Sequence, residues 1–395
     1  MGSKEITRPK TLDSQTRLHT DYTAWSVKTV QSVMKSSPRL AQKWHYEFGL
    51  MLKAIEQVWI ATGDDRYFNY IKENMDEFIA PEGNILTYRL EEYNLDQINT
   101  GKVLFALYRK TGKEKYEKAV HLLWKQLRTH PRTGEGSFWH KKIYPHQVWL
   151  DGIYMAGPFY AEYARVYNKP QAFTDITGQI IRAAYHMRDA KTGLFYHGWD
   201  ESKRQKWADP ATGCSPHFWG RAMGWYAMAL VDVLDYLPED QERRQKIIDI
   251  FQKLVSSLVL VQDNRSGLWY QVLDRGDEKG NYPEASCSCM FVYAVAKGIK
   301  KGYIPPKYLG TAVKGFKGII NNLVEVEPGG GVNLKQVCKV AGLGRAGPDH
   351  PYRDGSFAYY VSEPVEKNDY KGLAPFIMAG LEMGKVTGQK EVAGE

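Results

Sequence analysis

The chain has 395 residues, 43% hydrophobic and 25% charged, which is enough to bury a large core and excludes a disordered protein. No apolar stretch nears the roughly 18 residues of a membrane helix, and no hydrophobic secretion segment follows Met1. A cytoplasmic protein is expected, or a periplasmic or secreted one if a signal peptide has been removed. The net charge of +8 suits an anionic ligand. Lys and Arg are spread along the chain rather than run together, so neither nucleic acid nor membrane is an expected partner.

In chain order, apolar helical periodicity covers 22–36, 42–61, 64–80, 95–111, 113–129, 149–167, 170–188, 217–236, 240–262, 286–302, 306–326 and 370–386. Tight links such as Ala61-Thr62-Gly63-Asp64 and Tyr167-Asn168-Lys169-Pro170 alternate with long aromatic ones over 81–94, 130–148, 189–216, 263–285 and 327–369. Three long links share a turn, a glycine and aromatics: Gly136-Ser137-Phe138-Trp139-His140, Thr192-Gly193-Leu194-Phe195-Tyr196-His197 and Ser266-Gly267-Leu268-Trp269-Tyr270. Short hairpins are expected there. Alternating short and long links imply six antiparallel helix hairpins. The expected fold is an all-α (α/α)6 toroid of twelve helices over residues 21–390, preceded by an N-terminal extension over 1–20. An open α-solenoid is the alternative, but the repeat lengths are irregular. Helices following long links form the inner set. Their N-termini and the long loops then share one mouth, where function is expected to concentrate.

Two acids sit at inner-helix starts: Asp96 in Leu95-Asp96-Gln97-Ile98-Asn99 and Asp151 in Trp149-Leu150-Asp151-Gly152. Capping is the simplest role for an acid at a helix start. The aromatics crowding the same loops point instead to a sugar subsite with two carboxylates. Neighbouring carboxylates repel, which raises one pKa, while a helix N-terminus favours the anion. Trp44, Tyr46, His140, Lys141, Trp149, His197, Trp219, Arg221 and Trp225 are the candidate binding residues at the mouth. No phosphate loop, His-Glu-x-x-His or Gly-x-Ser-x-Gly occurs. Cys214, Cys287, Cys289 and Cys338 lack zinc spacing and are expected as buried thiols. No metal or cofactor is expected.

From about Trp44 to about Leu381 the chain resembles the unsaturated glucuronyl and rhamnogalacturonyl hydrolases of glycoside hydrolase family 105, relatives of family 88. The resemblance lies in the segments around Asp96 and Asp151, in Tyr196-His197-Gly198-Trp199-Asp200, in Phe218-Trp219-Gly220-Arg221-Ala222-Met223-Gly224-Trp225 and in Asn368-Asp369-Tyr370-Lys371-Gly372. It implies the same toroid and an unusual reaction, in which a 4,5-unsaturated uronic acid is released by hydration of its C4=C5 bond. Asp151 would be the general acid and base, with Asp96 holding sugar hydroxyls and raising the pKa of Asp151. His140, Lys141, His197 and Arg221 would be available to the substrate carboxylate, and Trp149, Trp219 and Trp225 would stack on the sugar. The loop 327–369 would cover the next subsite. Pectic rhamnogalacturonan or ulvan-type oligosaccharides are the expected source, acted on by a monomer or weak oligomer. The alternatives are a conventional inverting glycosidase using Asp96 and Asp151 and, outside enzymes, a carbohydrate-binding toroid.

Overall fold

The computed structural model describes residues 21–392, residue 348 excepted; the expected N-terminal extension 1–20 lies outside the described residues. The inner helices are α2 (Tyr46–Thr62), α4 (Asp96–Asn99) running into α5 (Lys102–Thr111), α7 (Leu150–Val166), α9 (Gly220–Leu234), α11 (Ala285–Lys300) and α14 (Tyr370–Val392). Each packs on the next, and α14 packs on α2, closing the ring. Outside them lie α1 (Tyr22–Ser36), α3 (Asp65–Asp76), α6 (Glu114–Thr129), α8 (Pro170–Met187), α10 (Arg244–Leu260) and α12 (Leu309–Leu323). The expected (α/α)6 toroid is therefore the observed fold, and the first described helix pairs with the last.

Composition separates the two rings. α9 and α11 are buried almost all round, as helices flanked on every side must be. α3 buries only one stripe, Tyr67, Phe68, Ile71 and Met75, and leaves its other face to solvent. Punctuation follows simple stereochemistry. Gly63 and Gly112 end α2 and α5 in the left-handed region, and the Asp64 side chain caps α3 by accepting from the Arg66 N–H at 3.0 Å.

The expected continuous helix 95–111 is broken at Thr100-Gly101. Crowding explains the break. Thr100 Oγ1 donates to the His45 carbonyl at 2.8 Å, and a Cβ on Gly101 would press on the Phe159 ring. From the other side, a Cβ on Gly49 would run into the Thr100 backbone. Gly49→Ala is expected to cost about 3 kcal/mol, the upper range for overpacking, read as a lower urea midpoint. Gly310→Ala, with open space around it, serves as control and should stay within about 0.5 kcal/mol of the parent.

Among the described residues six strands form three antiparallel pairs: β1 (Gln147–Trp149) with β2 (Gly198–Asp200), β3 (Val324–Val326) with β4 (Val332–Leu334), and β5 (Val337–Cys338) with β6 (Val365–Glu366). A further short helix, α13 (Phe357–Ser362), interrupts the last long loop. At the mouth, Lys371 Nζ bridges Glu47 on α2 at 2.6 Å and Asp369 before α14 at 2.7 Å. All four cysteines are buried and free. Among the described residues no helix is long and apolar enough to cross a membrane.

Candidate active site

At the mouth, the loops leaving four of the hairpins each turn back over the start of that hairpin's own inner helix. Three loops reverse at Gly136, Gly193 and Gly267, with φ of 90°, 72° and 75°, a region cheap only for glycine. The expected short hairpins are present as single bridges at the first two turns, Arg132 with Phe138 and Arg188 with Phe195. At Gly193 and Gly267, Asp189 and Asp263 close the turn, each carboxylate accepting from the backbone N–H of Thr192 or Ser266 at 2.7 and 2.6 Å. Four residues past these glycines stand His140, His197 and Gln271. Their carbonyls accept from the N–H of Leu95, Leu150 and Gly220 at 3.2, 3.0 and 2.9 Å; Gln336 does the same for Ala285 at 3.1 Å. The next residue in each helix is Asp96, Asp151, Arg221 or Ser286. Neighbouring inner helices thus present one side chain each in an equivalent slot, and in the first two slots it faces a side chain from the returning loop.

In the first slot, Asp96 meets Lys141 Nζ at 2.5 Å and His140 Nε2 at 3.6 Å. Burial pushes its carboxyl up, but Lys141 and His140 outweigh that and hold it below the ordinary value. The like-charge elevation expected from two carboxylates does not govern Asp96, because the loop supplies a cationic partner in Lys141. Burial drives the facing His140 down to about 4, against the pull of Asp96. In the second slot, Asp151 Oδ2 lies 3.2 Å from His197 Nε2. Both atoms are buried, and neither completes a hydrogen bond among the described residues. His197 is fully buried, whereas Asp151 keeps 14% of its side chain exposed. Gly152 makes room for the histidine of the first slot: a Cβ there would sit 3.0 Å from His140 Nδ1.

Most of the expected stacking rings are already covered by protein. Trp149 stacks on His140 and Tyr144, with centroids 4.4 and 4.7 Å away. Trp219 lies against His197 and Tyr360 at 4.7 and 5.9 Å. Trp225 stacks on Tyr154 at 4.9 Å and meets the edge of Tyr46. Trp44 is core, its indole N–H donating to the Gln97 carbonyl at 2.8 Å behind α4. These tryptophans brace the site from behind. Arg221, expected to clamp a carboxylate, instead donates to the carbonyls of Cys338 and Lys339 and lies over Trp219. The half-buried side chains left at the mouth are Tyr46, Lys141 and Asp151, with Asp96 just beneath. Deeper in the ring, Lys102 Nζ sits 3.9 Å above the Tyr154 ring, and burial lowers it to about 7.

The loop 327–369, expected over the next subsite, straps the Asp151 slot itself, through Leu343 and Tyr360, which sequence reasoning did not single out. Leu343 packs with Tyr144, Trp149 and Trp207, and a Cβ on Gly198 would collide with it at 2.7 Å. Arg353 donates to Tyr144 Oη at 2.9 Å and to the Gly344 carbonyl at 3.1 Å, with its guanidinium over Trp149. Tyr360 on α13 places its hydroxyl 2.9 Å from His197 Nδ1. The one sequence signal for that helix was Ser356 ahead of the aromatic run Phe357-Ala358-Tyr359-Tyr360; its side chain caps α13 at the Tyr359 N–H.

The sequence profile of Glycosyl Hydrolase Family 88 matches residues 20–387. A solved structure from Clostridium acetobutylicum (strain ATCC 824), a glycoside hydrolase from family 105, superposes with a TM-score of 0.89 at 49% identity, covering 91% of this chain and 99% of that one. The Agrobacterium fabrum protein Atu3128 is 38% identical over 232 residues, 58% of this chain and 97% of that protein. The unsaturated rhamnogalacturonyl hydrolase YesR of Bacillus subtilis is 27% identical over 286 residues, 71% of this chain and 77% of that protein.

Proposed function

Since the chain belongs to glycosyl hydrolase family 88, we propose that it removes the 4,5-unsaturated uronic acid from the non-reducing end of lyase-generated oligosaccharides. The observation that carries this reading is the contrast between the two slots. Asp96 is tied to Lys141, while Asp151 has no Lys or Arg within ion-pair distance among the described residues. A carboxyl without a cationic partner is free to take up and release a proton; one bound to a lysine stays an anion that accepts hydroxyl hydrogen bonds.

In this scheme Asp151 protonates C4 of the vinyl ether, positive charge develops at C5, and water adds there with Asp151 taking back a proton. The resulting hemiketal opens and the aglycone leaves. Asp96 accepts from sugar hydroxyls, and Lys141 supplies the cation for the uronate carboxylate. Similarity to the Bacillus subtilis relative favours pectic rhamnogalacturonan as the source.

The test is a panel of lyase digests of pectic rhamnogalacturonan, ulvan-type glycuronan and glycosaminoglycan, followed by the absorbance of the unsaturated uronate. Loss of the band with at least one digest, and no turnover of the matching saturated glycosides, is expected. An unchanged band with every digest overturns the reading, and turnover of saturated substrates points to a conventional inverting glycosidase.

A further inference from the structure

We propose that Tyr360 is a positioning residue, whose hydroxyl fixes the His197 tautomer and thereby decides which oxygen of Asp151 carries the working proton. The inference rests on the reading of Asp151 as general acid. Tyr360 and His197 are both fully buried, and the Tyr360 hydroxyl makes its hydrogen bond to His197 Nδ1 at 2.9 Å. A buried hydroxyl that only accepted from Nδ1–H would leave its own proton without an acceptor, which is costly away from water. The hydroxyl therefore donates, Nδ1 accepts, and the proton of the neutral imidazole resides on Nε2.

Nε2 is the atom 3.2 Å from Asp151 Oδ2. The two atoms stop short of a completed hydrogen bond. With a proton on Nε2, a small turn of the imidazole lets it donate to that oxygen, so the proton destined for substrate is carried on Oδ1. In the opposite tautomer a lone pair would face Oδ2. It would repel the carboxylate anion, or draw the acid proton onto Oδ2 and away from the sugar. Tyr360 is well held for this task. Its ring stacks on Trp219 with an interplanar angle of 17°. Its carbonyl accepts from Gln271 Nε2 at 3.0 Å, and Gln271 Oε1 accepts from the Trp219 indole at 3.1 Å. Gln271 is the residue that occupies, in the third slot, the place that His140 and His197 take in the first two. Tyr360 thus joins the Asp151 slot to its neighbour.

The decisive measurement is nitrogen NMR of histidine-labelled full-length enzyme, with the His197 signals assigned by their loss in His197→Gln. The wild type should show the proton on Nε2, and Tyr360→Phe, which keeps the ring and its stack, should show both tautomers. Its kcat should fall about tenfold, as loss of one ordinary buried hydrogen bond implies, with KM within about twofold. A wild-type spectrum with the proton on Nδ1, or Tyr360→Phe with wild-type kcat, overturns the proposal. The tautomer is read without substrate and does not depend on the variant folding. Failure of every oligosaccharide to react would count against the functional reading and leave the tautomer result standing.

Discussion

Asp151→Asn is expected to lower kcat by about 10² to 10⁴, the range for removing a positioned acid–base group, with KM little changed. Asparagine matches the shape of the acid and can still meet His197 Nε2–H through its amide oxygen, so thermal stability should stay close to the parent. What it lacks is a proton to deliver to carbon. Asp96→Asn provides the contrast. It strips Lys141 of a partner at 2.5 Å and weakens hydroxyl binding, so its main effect should be on KM. Both are read from the decay of unsaturated-uronate absorbance under single-turnover and steady-state conditions. Retention by Asp151→Asn of more than a tenth of the parent kcat would remove Asp151 from the role of acid.

The second large effect concerns stability in acid. Burial holds His130 and His140 neutral, each down to about 4, whereas an unfolded chain leaves histidine near 6.5. Between those values the unfolded chain binds protons that the folded one refuses, so stability is complete above about pH 6.5 and is lost as pH falls toward 4. Each histidine contributes about 3 kcal/mol to that loss. His130 is satisfied as the neutral form, with Nε2 at 2.8 Å from the Trp139 carbonyl and Nδ1 at 3.4 Å from Gln126 Nε2. The wild type should therefore lose about 6 kcal/mol between pH 7.5 and 4 from these two groups, measured by urea unfolding. His130→Asn should lose about 3 kcal/mol less over the same interval; identical losses in both proteins would show that His130 does not titrate as argued.

The helices were legible in the sequence because each is a long periodic segment with its own stop signals; Gly63, Gly112 and Pro170 mark ends that the structure keeps. The inner and outer rings followed from alternating link lengths, and the two acids from their place at inner-helix starts. The loop 327–369 was expected as a cover for the next subsite, but its contacts with Trp149 and His197 were not legible, since strands of two residues such as β5 and β6 leave no period to detect. The roles of the aromatics were hidden for another reason. Trp149 has the residue type of a sugar platform, but whether its faces are free depends on how the loop folds Tyr144 back onto it and on Arg353, which lies 209 residues beyond Tyr144. Arg221 was misjudged in the same way: the carbonyls that occupy it lie 117 and 118 residues further on.

The returning loops also govern the order in which the site is built and lost. Asp96 with His140, and Asp151 with His197, are each contained in one hairpin and its own loop, so each pair can assemble locally as soon as that unit docks. Tyr360 reaches His197 across 163 residues, and Arg353 reaches Tyr144 across 209. Contacts of such long range carry a high closure entropy and are among the last to form. Acid–histidine pairing should therefore outlast the strap under mild denaturant. The enzyme should pass through a largely helical but inactive form before it unfolds as a whole.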